Sequence, residues 1–164
     1  MAQNGPAMFR IGLLSDTHGL LRPEVKAFLN GSDYIIHGGD IGDPIILEEL
    51  ALLAPVTAVR GNNDKGIWAE LLPVDDFLKA GEVFIYVLHD LAELKIEPAA
   101  EGVQLVITGH SHKPLVYERD GVLYVNPGSA GPRRFKLPIT VAEVIVSGSS
   151  ASARIVELSG SNAT

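Results

Sequence analysis

The sequence predicts an α/β protein in which two β-sheets pack face to face with helices outside. Three observations lead there. Residues 9–59 alternate short apolar runs with helix signals. From residue 74 onward, seven further apolar runs follow one another, separated by turn residues. Polar, glycine-bounded motifs stand directly after the ends of several runs. The β-α-β-α-β order of the first part calls for a parallel sheet with right-handed crossovers.

In chain order, residues 9–14 form a first strand that ends at the polar turn Ser15-Asp16. Residues 23–30 form a helix, with Pro23 in its first turn and Gly31 as its stop. Residues 34–37 are a buried strand. Asp43 then caps a helix that has Pro44 at its first position and runs to about Leu53. Residues 56–59 are the third strand. The later strands are expected at 74–78, 82–88, 103–108, 114–118, 122–126, 139–146 and 153–157, with a short helix over 93–100. Arg119-Asp120-Gly121 and Ser147-Gly148-Ser149-Ser150 are hairpin turn signals.

A chain of 164 residues fits one domain spanning 1–164, with mobile tails expected at 1–7 and 159–164. Hydrophobic residues at 46% against 20% charged exclude general disorder. The lack of cysteine excludes disulfides and thiolate metal sites. Apolar stretches break well before the roughly 18 to 20 residues of a membrane span. No basic segment leads into an apolar one at the start, so a cytoplasmic protein is expected. The net charge of −7 argues against nucleic-acid backbone and anionic membranes as partners, though not against a small phosphate ester held by metal ions.

The motifs carry the chemistry. They are Asp16-Thr17-His18, Gly38-Gly39-Asp40, Gly61-Asn62-Asn63-Asp64, Leu88-His89-Asp90 and Gly109-His110-Ser111-His112. In an open α/β sheet, ligands bind beyond the carboxyl ends of the strands, so five strand ends would deliver polar groups to one edge. Asp16, Asp40, Asn62, His18, His89, His110 and His112 supply two carboxylates, one amide oxygen and four imidazoles. That set suits Mn²⁺ first, with Fe²⁺, Zn²⁺, Co²⁺ or Ni²⁺ as alternatives, and is large enough for two ions with Asp40 as the shared ligand. Taken singly the residues read otherwise. Asp16 could cap a helix, Asp40 and Asn62 could be turn residues, and a lone His89 after a strand is often structural. Asp64 reads equally as a helix cap or as a carboxylate orienting a ligand histidine. His37 belongs to no ligand motif and is expected to be structural. Arg22, Arg60, Arg133 and Arg134 are candidate phosphate contacts. Trp68 with Leu71-Leu72 reads as packing or an interface, which leaves a homo-oligomer open.

The ordered set D-x-H, G-D, G-N-x-D, a lone His and G-H-x-H over residues 16–112 resembles the calcineurin-like metallophosphoesterase superfamily. Within it, the chain is similar to the small bacterial and archaeal phosphodiesterases that also resemble the retromer subunit Vps29. Asn126-Pro127-Gly128-Ser129 resembles a loop of that group. The resemblance implies a four-layer α-β-β-α sandwich of two mixed sheets flanked by helices. It implies one metal on Asp16, His18, Asp40 and His112, and a second on Asp40, Asn62, His89 and His110. It also implies a phosphodiesterase acting through a metal-bridging hydroxide, with Asp16, His18, Asp40, Asn62 and Asp64 as its catalytic residues.

Two positions depart from the family pattern. Many members carry a histidine, the general acid, where this chain has Asn63; its loss costs roughly 10²- to 10⁴-fold on poor leaving groups. Diesters and activated esters are therefore expected over alkyl monoesters. Asp90 stands where a glycine is usual. The rival expectations are a Vps29-like interaction scaffold with weak or no catalysis, favoured by Asn63, and a phosphomonoesterase using the same site.

Overall fold

The computed structural model describes residues 8–134 and 136–158; both expected mobile tails lie outside the described residues. The first sheet is built from β1 (Met8–Leu14), β2 (Tyr34–His37), β3 (Val56–Ala58), β9 (Thr140–Ser147) and β10 (Ser150–Glu157), in the order β10-β9-β1-β2-β3. The second is built from β4 (Asp75–Ala80), β5 (Val83–Leu88), β6 (Leu105–Ile107), β7 (Leu115–Arg119) and β8 (Val122–Asn126), in the order β4-β5-β6-β8-β7. Each sheet is mixed. Strands β1, β2 and β3 run parallel, as do β5, β6 and β8, and antiparallel strands flank both groups. The protein is the expected sandwich of two mixed sheets.

Period-two alternation decides which layer each side chain enters. Ile11 and Leu13 of β1, Ile36 of β2, Ile85 and Val87 of β5 and Val144 of β9 face the core between the sheets. Their neighbours Leu14 and Ile35 turn outward onto α1 (Pro23–Leu29) and α2 (Pro44–Ala51), where Val25, Leu29, Ile46 and Leu50 are buried. Asp43 caps α2 as expected, its carboxylate accepting the Ile45 amide at 2.9 Å. On the outer face of the second sheet, Tyr86, Leu88 and Val106 pack against Leu91, Leu94 and Ile96.

The expected helix over 93–100 does not form. A single 3-10 turn at Leu91–Glu93 is followed by irregular chain and one turn closed by the Glu101 and Val103 amides on the Glu97 and Pro98 carbonyls. Pro98 has no amide to donate, and a proline disfavours the α region for the residue before it, so the helical pattern is interrupted. A four-residue helix, α3 (Ile67–Glu70), follows the third motif and was not expected. Both hairpin signals are realised. Asp120 and Gly121 both take positive φ in a two-residue turn, and Gly148 does so in the other.

Arg10 joins β1 to the rest of the first layer. Its Nε donates to Glu143 of β9 at 2.6 Å, and its Nη atoms close the Phe28 and Asn30 carbonyls at the end of α1 at 2.7 and 3.2 Å. The Arg10 hydrogen bond, with help from Arg154, holds the Glu143 carboxyl below its ordinary pKa against the opposing effect of burial. Arg10→Ala should lower unfolding free energy by about 2 kcal/mol at neutral pH, because it leaves helix carbonyls and a carboxylate without their charged donor. Glu143→Gln should cost less. A depressed folded pKa stabilises above the unfolded value, so its gap to wild type should be full above pH 4.5 and close as pH falls through the lower folded value. Denaturant titrations across pH measure both.

Candidate metal centre

The parallel strands of both sheets end on one edge, and the loops that follow them carry the candidate ligands. Their backbone is unusual. Among the described residues six non-glycine positions have positive φ, and five of them are Asp16 (56°), His18 (46°), Asp40 (57°), His110 (71°) and His112 (64°). The left-handed region is unfavourable for residues with a Cβ, so other contacts must hold it. The first two loops zip together: the Asp16, His18 and Gly19 amides donate to the Gly39, Asp40 and Ile41 carbonyls at 2.8–2.9 Å. Gly61 and Gly109 run so close to these loops that a Cβ at either would overlap Asp40 or Ser15.

Two groups of side chains converge. Asp16, His18 and His112 offer ligand atoms within 4.8 Å of one another, and so do Asp16, Asp40 and His89. His112 Nε2 lies 3.4 Å from Asp16 Oδ1, and His89 Nε2 lies 3.4 Å from Asp40 Oδ2. His18 Nε2 stands between both carboxylates, 3.8 Å from Asp16 Oδ1 and 3.6 Å from Asp40 Oδ2. Asp16 therefore stands in both groups, and Asp40 also reaches the first. Asn62 Oδ1 and His110 Nδ1 meet at the exposed rim, 3.2 Å apart, outside the two tight groups.

The donor set fits a cation. Among the described residues, four buried side-chain atoms lack a hydrogen-bond partner: Asp16 Oδ1, His18 Nε2, His89 Nε2 and His112 Nδ1. All four belong to candidate ligands. His89 Nδ1 lies 2.7 Å from the Gly38 carbonyl, so that nitrogen donates its proton there and Nε2 is the atom turned to Asp40.

Burial sets the electrostatics. It raises the Asp16 carboxyl above its ordinary value, against the pull of Ser15, His89 and His112. At Asp40 burial acts the same way, but the His89 ring and the Asn63 backbone and side-chain amides outweigh it and hold the carboxyl well below the usual range. Burial, then the Arg134 charge and His18, lower His112 despite Asp16. Burial disfavours a charged His89, and Asp40 with the Gly38 carbonyl outweighs it, so its pKa rises. His37 is fully buried and pushed down to about 3, by burial first and then by His89. It accepts the Gly39 amide at Nδ1 and gives its Nε2 proton to Thr17, whose hydroxyl donates to Ile41: a structural neutral ring, as expected.

Two side chains act differently from their sequence reading. Asp64 touches no histidine and caps no helix. Its carboxylate accepts the backbone amides of Asp40, Gly42 and Gly61 at 2.9–3.0 Å, pinning the second loop to the third. Asn63, in the place of the family's histidine, grips Asp40 through its backbone amide at 2.9 Å and its side-chain amide at 3.0 Å. Arg22 is buried and turned onto the Gly131 carbonyl, and Arg133 is exposed beside the Leu137 carbonyl. Trp68 packs beneath α2 with Leu72, while Leu71 is exposed. The clamps Asn126 and Ser129 went unassigned in the sequence apart from their shared loop motif. Asn126 donates to the Gly109 carbonyl at 2.9 Å and Ser129 to the Asp16 carbonyl at 3.2 Å.

Among the described residues no helix is long and apolar enough to cross a membrane. The profile of the calcineurin-like phosphoesterase superfamily domain matches residues 9–149. The probable metallophosphoesterase of Methanothermobacter thermautotrophicus is 36% identical over 132 residues, covering 73% of this chain and 76% of that protein. A phosphodiesterase of Methanocaldococcus jannaschii is 30% identical over 138 residues, covering 73% and 82%. In fold, vacuolar protein sorting 29 of Cryptosporidium parvum superimposes with a TM-score of 0.75 at 19% identity, covering 93% of this chain and 99% of that one. With the profile spanning most of its length, the chain belongs to the calcineurin-like phosphoesterase superfamily.

Proposed function

We propose that this chain is a divalent-metal-dependent phosphodiesterase with a dinuclear centre, Mn²⁺ being the first candidate ion. Asp16, His18, Asp40 and His112 would hold one ion; Asp40, Asn62, His89 and His110 would hold the other. The observation that carries this reading is the set of four unpartnered buried atoms, all on these residues. The relative named as a phosphodiesterase supports the reaction class.

Bound there, two divalent ions supply positive charge for a phosphoryl group and lower the pKa of coordinated water. The chain's own residues set the rest. The Gly38 carbonyl fixes the His89 tautomer so that its free nitrogen faces Asp40. Asp64 and Asn63 hold the Asp40 loop and carboxylate at the junction of the two groups. The Asn63 amide is too weak an acid to protonate a leaving group, which favours esters whose leaving group departs unaided. The second reading, an interaction scaffold like the vacuolar sorting protein it resembles in fold, is favoured by that same asparagine.

Purified protein should carry about two transition-metal ions per chain by elemental analysis. Hydrolysis of an activated aryl phosphodiester should stop with chelator and return with Mn²⁺. Metal-replete protein inactive on monoesters and diesters alike would sink the enzyme reading and leave the scaffold. Asn63→Ala should weaken metal binding by roughly tenfold in calorimetric titration, through loss of its grip on Asp40. Asn63→His should raise the monoester rate relative to the diester rate; an unchanged ratio would remove the missing acid as the cause of diester preference.

A further inference from the structure

On either side of Asp90 the surface sinks into a hollow, and both hollows reach candidate ligands. The larger, about 870 Å³, is lined by Asn62 and His89 and carries Arg60, Lys65 and Lys95 together with Glu70 and Glu93. The smaller, about 230 Å³, is lined by His110, Leu91, Leu115, Tyr117 and Tyr124, with polar groups such as Lys113 also reaching it. Most of the surface it exposes is apolar. Leu115 stays 52% exposed on the edge strand β7, an apolar side chain with no cover of its own. The Tyr117 ring lies parallel to Tyr124, 4.9 Å away, which fixes its orientation.

A phosphodiester presents two ester arms from one phosphorus. With the phosphorus at the candidate metal centre, the arms would leave on opposite sides of the Asp90 ridge. Resting on the phosphodiesterase reading above, we propose that the smaller hollow seats a flat apolar or aromatic ester arm while the larger takes a polar second arm. Size agrees with this assignment. A cavity of roughly 150 Å³ lined by apolar side chains holds a benzene ring, so the smaller hollow takes one substituted ring and little more. The larger hollow, with charges of both signs, suits an arm that is bulkier and hydrogen-bonding.

Phenylphosphonate and methylphosphonate, which share the anionic head and differ only in the arm, test this by calorimetric titration of the metal-loaded protein. The phenyl compound should bind at least about tenfold more tightly, the expected return for burying one ring. Leu115→Ala and Tyr117→Ala should each shrink that ratio. Leu115 is half exposed, so its truncation leaves the core intact. Equal affinities in the wild type, or a ratio unmoved by both substitutions, would overturn the hollow's assignment and leave the phosphodiesterase reading standing. Failure of both phosphonates to bind would overturn the two together.

Discussion

The left-handed backbone at five candidate ligands is the constraint to which the surrounding structure is fitted. A non-glycine residue in that region costs on the order of 1 to 2 kcal/mol, and five such residues stand within three loops that follow strands of both sheets. No single loop could hold them. Their support comes from bonds between loops: the ladder joining residues 16–19 to 39–41, the Asp64 carboxylate joining the second loop to the third, and the Asn126 amide on Gly109. The glycines follow from the same demand. Gly61 and Gly109 have no room for a Cβ because the ligand-bearing loops are drawn in against them. Turning the chain left-handed at Asp16, Asp40 and His112 is what lets loops from both sheets bring side chains within 4.8 Å of one another.

Closeness of this kind has an electrostatic consequence. Two buried carboxylates near one another would each resist ionisation, yet their environments push them apart. Asp16 sits fully buried with its Oδ1 unpartnered, and burial raises its pKa. Asp40 is fed by Asn63 twice and faced by His89, and its pKa falls. One carboxylate is thus kept charged by the chain itself, while the other waits for a positive partner. Asn63 acquires a role here that its reading as a missing acid had left blank. In place of a proton donor, the chain has here a clamp on the Asp40 carboxylate.

Much of the fold was legible because the signals were local. The bounds of β2 and β8 agree with the apolar runs, and Pro44 and Asp43 mark the start of α2. The helix expected over 93–100 fails at Pro98, whose ring and missing amide interrupt the helical pattern. In the candidate site, the motifs mark five side chains that converge, Asp16, His18, Asp40, His89 and His112, while Asn62 and His110 stand at the exposed rim. Partners reached through tertiary contact were not legible. Asp64 looks like a histidine's carboxylate or a cap until the loop from 24 residues earlier brings the Asp40 amide to it. Asn126 and Ser129 are likewise strand-end residues whose purpose is visible only once β8 lies beside β6.

Whether this edge holds a cation turns on what the unpartnered atoms cost. A buried polar atom without a partner is worth about 1 to 3 kcal/mol against folding, and four lie at this edge, against a typical domain stability of about 5 to 15 kcal/mol. A surface presented to a protein partner gains nothing from atoms sealed away from contact. Asp16 is fully buried, and its Oδ1 reaches only towards His18 and His112. The same atoms become an asset if a cation meets them, since each then exchanges a missing hydrogen bond for a coordinate bond. Ion binding at this edge would couple metal content to stability. A scaffold that had given up metal would be expected to refill this space with apolar side chains or hydrogen-bonded pairs. Here the space is lined instead by the Asp16 carboxylate and the rings of His18, His89 and His112.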